Sequence, residues 1–146
     1  MPYTSRFTDT GSDTRFTDVL TRAVLTGALE AAASHAYPRG RRFALIDLSG
    51  VTDFALSAAE IRAVAERAGA FGPAAEAPAA EAPAGVPLEI AVVATQDVGY
   101  GLARMWETLA ERRPVRTAVL RTRAMALAWL AAEGIPDAEL PPDPAA

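Results

Sequence analysis

The chain has 146 residues, no cysteine and a formal net charge of −4. These values exclude a disulfide scaffold, a thiolate metal site and a cysteine nucleophile, and they argue against sequence-independent nucleic-acid binding, which needs a basic surface. A chain of this length is expected to form one domain and bury roughly two thirds of its unfolded surface. All fourteen basic residues are arginine and alanine is abundant, so much of that burial falls to small side chains.

The opening MPYTSRFTDTG has neither the basic n-region nor the apolar h-region of a secretory signal. The longest uncharged apolar run, Ala124–Ala132, is far short of the ~20 residues a membrane span requires. A cytoplasmic protein is the expectation. Tyr3–Thr8 alternates weakly, and Asp9-Thr10-Gly11-Ser12-Asp13 is a cluster of turn formers, so Arg15–Leu20 reads as the second arm of an N-terminal hairpin. From Thr21 onward Val24, Leu25, Ala28, Leu29, Ala32 and Ala36 recur at helical spacing, with Thr21 as N-cap and Thr26 as the rival. Pro38-Arg39-Gly40 ends that helix.

Phe43–Leu48 reads as a strand that runs through a Ser49-Gly50 turn towards a helix opened by Ser57-Ala58-Ala59-Glu60, a capping box. Residues 72–86, which include PAAEAPAAEAP, cannot bury enough to offset their ordering entropy and read as a flexible insertion. Leu88–Ala94 is almost wholly apolar, as a strand covered on both faces should be. A helix follows with Leu102, Met105, Trp106 and Leu109 inward, then the strand Val115–Leu120, then a helix capped by Thr122 that holds Met125, Ala128, Trp129 and Leu130. Gly134 closes it. The domain thus spans 1–135, and 136–146 reads as a polar tail. Alternation of strands and helices predicts an α/β domain: a mixed sheet of about five strands, about four helices, and right-handed crossovers.

In open α/β sheets, ligands sit at the carboxyl ends of the strands. Here three loops converge there. The first offers Asp47, Ser49, Thr52, Asp53 and Ser57; the second Thr95, Gln96, Asp97, Tyr100 and Arg104; the third Arg121 and Thr122. Asp47, Asp53 and Asp97 are candidate acid–base carboxylates or hard-metal ligands, though aspartate also favours turns and helix starts for local reasons. Arg104 sits early in a helix, where a basic residue opposes the dipole, so it either pairs with a carboxylate such as Asp97 or presents a fork to an anion. His35 is the only histidine, and no nucleophile lies near it in sequence. Gly99-Tyr100-Gly101 fails the spacing of a phosphate loop, and its glycines read as room for a helix to start close to the sheet.

ALIDLSGV followed by a serine-capped helix resembles STAS-type domains, the anti-sigma-factor antagonist fold. GYGLARMWETLAE, a strand and then RAMALAWL resembles more closely the small bacterial SpoIIAA-like proteins, which are STAS and CRAL-TRIO-related. The resemblance runs from about Phe43 to Leu130. In signalling members an Asp-Ser-Ser-Gly motif carries a phosphorylated second serine. Ungapped comparison places Ser57 at that serine, with Ala55, Leu56 and Ala58 at the other three positions. The departures favour the second branch, whose members the resemblance implies bind small or lipid-like ligands or have no known activity.

The leading expectation is a non-enzymatic ligand-binding or regulatory module with a site lined by Ser49, Thr52, Asp53, Ser57, Asp97, Tyr100 and Arg104. It calls for no cofactor and no metal. Its partner would be a small apolar or anionic molecule, or a protein, and a homodimer is left open. The alternative is a small cofactorless enzyme of cyclase or isomerase type, with Asp53 or Asp97 as base and Tyr100 and Arg104 stabilising developing negative charge. A third reading makes Ser57 the phosphorylated switch of an anti-sigma-factor antagonist.

Overall fold

The computed structural model describes residues 2–71, 88–109 and 115–141. In chain order these form β1 (Tyr3–Phe7), β2 (Gly11–Thr21), α1 (Arg22–Ser34), β3 (Phe43–Ala55), α2 (Ala58–Phe71), β4 (Leu88–Val93), α3 (Asp97–Leu109), β5 (Val115–Leu120) and α4 (Arg123–Ala132). The sheet order is β1-β2-β3-β4-β5, with β1 antiparallel to β2 and every other pair parallel. This is the expected α/β architecture with a five-stranded mixed sheet and four helices. The insertion read at 72–86 lies outside the described residues.

Strands that follow one another in both sequence and space, joined by crossovers of one hand, place their connecting helices on one face. Leu25 and Ala28 of α1, Ile61 and Val64 of α2, and Ala103 of α3 accordingly share a core with Ala44, Leu48, Ile90 and Val92 of the sheet. Among the described residues no strand follows α4, and it covers the opposite face. There Ala126 and Leu130 pack with Phe43, Leu45, Ala91 and Val93.

Thr21 caps α1 by accepting from the Val24 amide at 3.2 Å, and Thr122 caps α4 by accepting from Met125 at 3.1 Å. At the end of α4, Gly134 has φ 91°, and the amides of Gly134 and Ile135 donate to Ala131 and Leu130 carbonyls. That is a Schellman closure, and it seats Ile135 in the α4 core. The start of the stretch read as a polar tail docks through a 3₁₀ turn, Asp137–Glu139. Glu139 accepts from Arg42 at 2.7 Å and from Thr10 Oγ1 at 3.1 Å.

The structure corrects three details of the sequence reading. β2 starts at Gly11, so the expected turn shrinks to Asp9-Thr10, organised by the Thr8 hydroxyl accepting from the Gly11 amide at 3.1 Å. Gly11 is needed because a Cβ there would sit 2.4 Å from the Phe43 ring. β3 does not stop at Leu48. It passes through Ser49-Gly50 to Ala55, paired with Thr17–Thr21 of β2 across a bulge where Asp18 takes φ 61°. Gly50 stays in register because a Cβ would lie 2.8 Å from the Phe16 carbonyl oxygen. Finally, α4 is rotated from the expected phase: Ala126 and Leu130 are buried while Met125 is 50% exposed.

Candidate functional site

The extension of β3 decides what stands at the carboxyl edge of the sheet. It carries Phe54 onto α3, where a Cβ on Gly99 would be 2.6 Å from the ring, so the glycine is what admits the contact. Gln96 Nε2 donates to the Val51 carbonyl at 2.8 Å and ties the β4–α3 loop to the same extension. The chain's own residues therefore fill the edge above β4.

The seven sequence candidates are distributed over separate places. Asp97 and Tyr100 come together, joined by Arg121, which bridges Asp97 Oδ1 at 3.0 Å and lies 4.0 Å above the Tyr100 ring. Arg104 is 57% exposed and pairs with Glu107 one turn on, at 3.1 Å, instead of with Asp97. Thr52 and Asp53 are exposed on β3. Ser57 and Glu60 form the capping box, with Ser57 Oγ accepting from the Glu60 amide at 3.1 Å and Glu60 Oε1 accepting from the Ser57 amide at 3.0 Å. A phosphate on Ser57 would meet that carboxylate, which already holds one of the free amides.

Ser49 belongs to a different group, under the N-terminus of α4. Its hydroxyl donates to Asp47 Oδ1 at 2.5 Å, and Arg123 donates to Asp47 Oδ2 at 3.0 Å and to Asp13 Oδ2. Asp13 and Asp47 are only 2% and 4% exposed. Arg15 adds a second cation 3.6 Å from Asp13. Burial disfavours the Arg123 charge, but Asp13 and then Asp47 outweigh it and hold its pKa above the ordinary arginine value. The arrangement clips α4 to β2 and β3. Sequence reasoning placed Asp13 in a turn and passed over Arg123, although a basic residue right after the Thr122 cap opposes the helix dipole just as Arg104 does.

Between the sheet and α1–α3 the packing leaves a cavity. Its unfilled space, open side included, is about 480 Å³, of which about 50 Å³ admits the centre of a water-sized sphere. Strand alternation presents Ile46, Leu48 and Val92 from below, and Phe54 and Leu56 close the end nearest the carboxyl edge. From above come Leu25 and Leu29 at i, i+4 and Leu102, Ala103 and Trp106. Ala103 is the short member of that α3 stripe. All twelve lining side chains are apolar or aromatic, and the lone polar atom they bring is the Trp106 indole nitrogen. That Nε1–H is buried and has no acceptor among the described residues.

Neither a family model nor a curated protein matches this chain. Its own chemistry carries the functional argument. Among the described residues no group of three histidine, aspartate or glutamate side chains is placed to hold a metal ion, and no helix is long and apolar enough to cross a membrane. An empty apolar space of about 50 Å³ costs roughly 1.2 kcal/mol at ~24 cal/mol per Å³. Sequence periodicity marks Leu25, Leu29, Ile61, Leu102 and Trp106 of the wall as core, while Phe54 and Leu56 fall in the loop expected between Leu48 and Ser57. A void is a difference between volumes from distant segments, and no local signal carries it.

Proposed function

We propose that the protein is a small-ligand-binding module whose ligand buries an apolar part in the cavity between α1–α3 and the sheet. The carrying observation is the cavity: an apolar space that costs about 1 kcal/mol when empty and that a hydrocarbon group would fill. The resemblance of Phe43–Leu130 to SpoIIAA-like proteins supports the same reading, since it implies small or lipid-like ligands. The polar candidates then act at the surface. Asp97 and Tyr100 of α3 and Arg121 just after β5 form a charged and aromatic group, which is suited to a polar ligand end or to a partner that senses occupancy.

The test is a thermal-shift and methyl-NMR titration of the full chain with small hydrocarbons, alcohols and ketones of four to six heavy atoms. Binding at 100 times Kd adds about 2.7 kcal/mol. Apolar compounds should raise Tm and shift the methyl resonances of Leu48, Ile61 and Val92. If no compound moves either, the cavity is packing slack and the proposal fails.

A further inference from the structure

The cavity wall contains one chemical irregularity, and it bears on which ligand fits. Trp106 sits among eleven hydrocarbon side chains, yet its indole Nε1–H is buried without an acceptor among the described residues. A buried donor left unpaired carries the full desolvation penalty of its group, and most buried polar groups in folded proteins avoid it. A phenylalanine would supply the same aromatic wall with no donor to satisfy. A bound water is a poor remedy, because it needs two to four polar partners and the lining offers this single one.

Resting on the ligand-binding reading above, we infer that the ligand is a compact hydrocarbon carrying one hydrogen-bond acceptor, a carbonyl or ether oxygen, that receives the Trp106 Nε1–H. A second polar group on the buried part would find no partner in this wall and would be rejected. A carboxylate is excluded on the same ground, since no cation lines the cavity. Size is bounded too. At ~10–15 Å³ for each water-sized occupant, about 50 Å³ takes only a handful of heavy atoms. The recognised element is therefore a small ring or short chain, either a whole ligand or the end of a larger one.

Cyclopentane and cyclopentanone are matched probes, equal in shape and different by one carbonyl. Both are titrated into the full-length protein, following the methyl groups of Leu48 and Val92 and the indole ¹H–¹⁵N resonance of Trp106. Trp129 serves as the internal control, since it is not among the wall residues. Both probes should shift the methyl groups, and only cyclopentanone should move the Trp106 indole proton downfield. In Trp106→Phe the ratio of dissociation constants, cyclopentane over cyclopentanone, should fall about tenfold, the value of one neutral hydrogen bond in a dry site. If the methyl groups respond to both probes while the indole resonance responds equally to both or to neither, the acceptor inference is overturned and the cavity reading stands. If the methyl groups respond to neither probe, the cavity reading itself falls. The indole measurement uses the unmodified protein, so a poorly folding Trp106→Phe does not spare the inference.

Discussion

Ala103→Val is the substitution that most directly separates a ligand cavity from a fault in packing. Ala103 is buried on α3 and faces the void, with the helix backbone fixed beside it by the Phe54–Gly99 contact. Valine adds two carbons. At ~0.8 kcal/mol for each buried carbon the gain is about 1.6 kcal/mol. A β-branched residue inside a helix gives back up to ~0.7 kcal/mol. The net is about 1 kcal/mol of stabilisation, close to the ~1.2 kcal/mol that the empty 50 Å³ itself costs. For a domain of this size that is roughly 2–4 °C in Tm. Calorimetry of the unliganded variant should show the rise, and titration with cyclopentane should show that binding is lost. A destabilisation of 1 kcal/mol or more would mean that the added carbons are overpacking a filled space. Unchanged binding alongside higher stability would place the ligand elsewhere. Either result refutes the reasoning.

The other predictions address the frame around the cavity. Arg123→Met leaves two buried carboxylates facing one partly exposed cation, and should cost about 3–5 kcal/mol by chemical denaturation. The triple variant with Asp13→Asn and Asp47→Asn should recover most of that loss, and no recovery would show that Arg123 acts through packing alone. Burial raises the Glu89 pKa, Arg116 opposes the shift at 3.7 Å without a hydrogen bond, and Glu133 adds to it. A raised folded pKa stabilises fully below the unfolded value and is lost as pH rises through the folded one. Glu89→Gln should therefore raise Tm at pH 7 and lose that advantage by about pH 4; a pH-independent difference contradicts the assignment. Gly101→Ala should stabilise α3 by up to ~1 kcal/mol, because open space surrounds the new Cβ. Gly99→Ala should destabilise, since its Cβ would strike Phe54, and equal effects in the pair would remove Phe54 from the argument. Ser57→Ala should cost about 1 kcal/mol in thermal unfolding, and a null result would deny the capping box its role.

What the sequence made legible was whatever local chemistry determines. Thr21, Ser57 and Thr122 precede helices and accept the amides that those helix starts leave free, and each does so in the structure. The strand Leu88–Val93 declares itself by an almost wholly apolar run, and Val115–Leu120 by its β-branched residues between two helices. The errors fall where a distant partner overrides a local preference. Ser12 and Asp13 have turn chemistry, but Asp13 is drawn into β2 by Arg123, 110 residues away. Ser49-Gly50 suits a turn equally well, and it stays extended because β2 continues beside it and Gly50 can sit on the Phe16 carbonyl. The phase of α4 was hidden by composition: a helix of alanine, leucine, methionine and tryptophan has too little contrast for periodicity to choose a face. The spread of the site candidates has the same origin as the misplaced strand end, since the extra residues of β3 stand at the edge where the polar loops were expected to converge and leave Asp97 and Tyr100 together but apart from Ser49 and Ser57.

The helices on the two faces of the sheet are held by different chemistry. α4 is anchored by two buried carboxylates on Arg123, an arrangement costly to break. α3 has no comparable anchor among the described residues. The contact at its start is the pair between Arg121 and Asp97, a residue 96% exposed, and such surface pairs contribute little and are screened by salt. Its other polar tie is the Gln96 bond to Val51, and its apolar contacts run from the Phe54 ring on Gly99 to the core that Leu102, Ala103 and Trp106 share with α2 and the sheet. Ala103 and Trp106, which face the cavity, and Tyr100, which carries Arg121 at the surface, all ride on this helix. Under the proposed ligand-binding reading, cyclopentane in the cavity should therefore also shift the ring resonances of Tyr100, and no shift there would uncouple the Asp97–Tyr100–Arg121 group from the cavity.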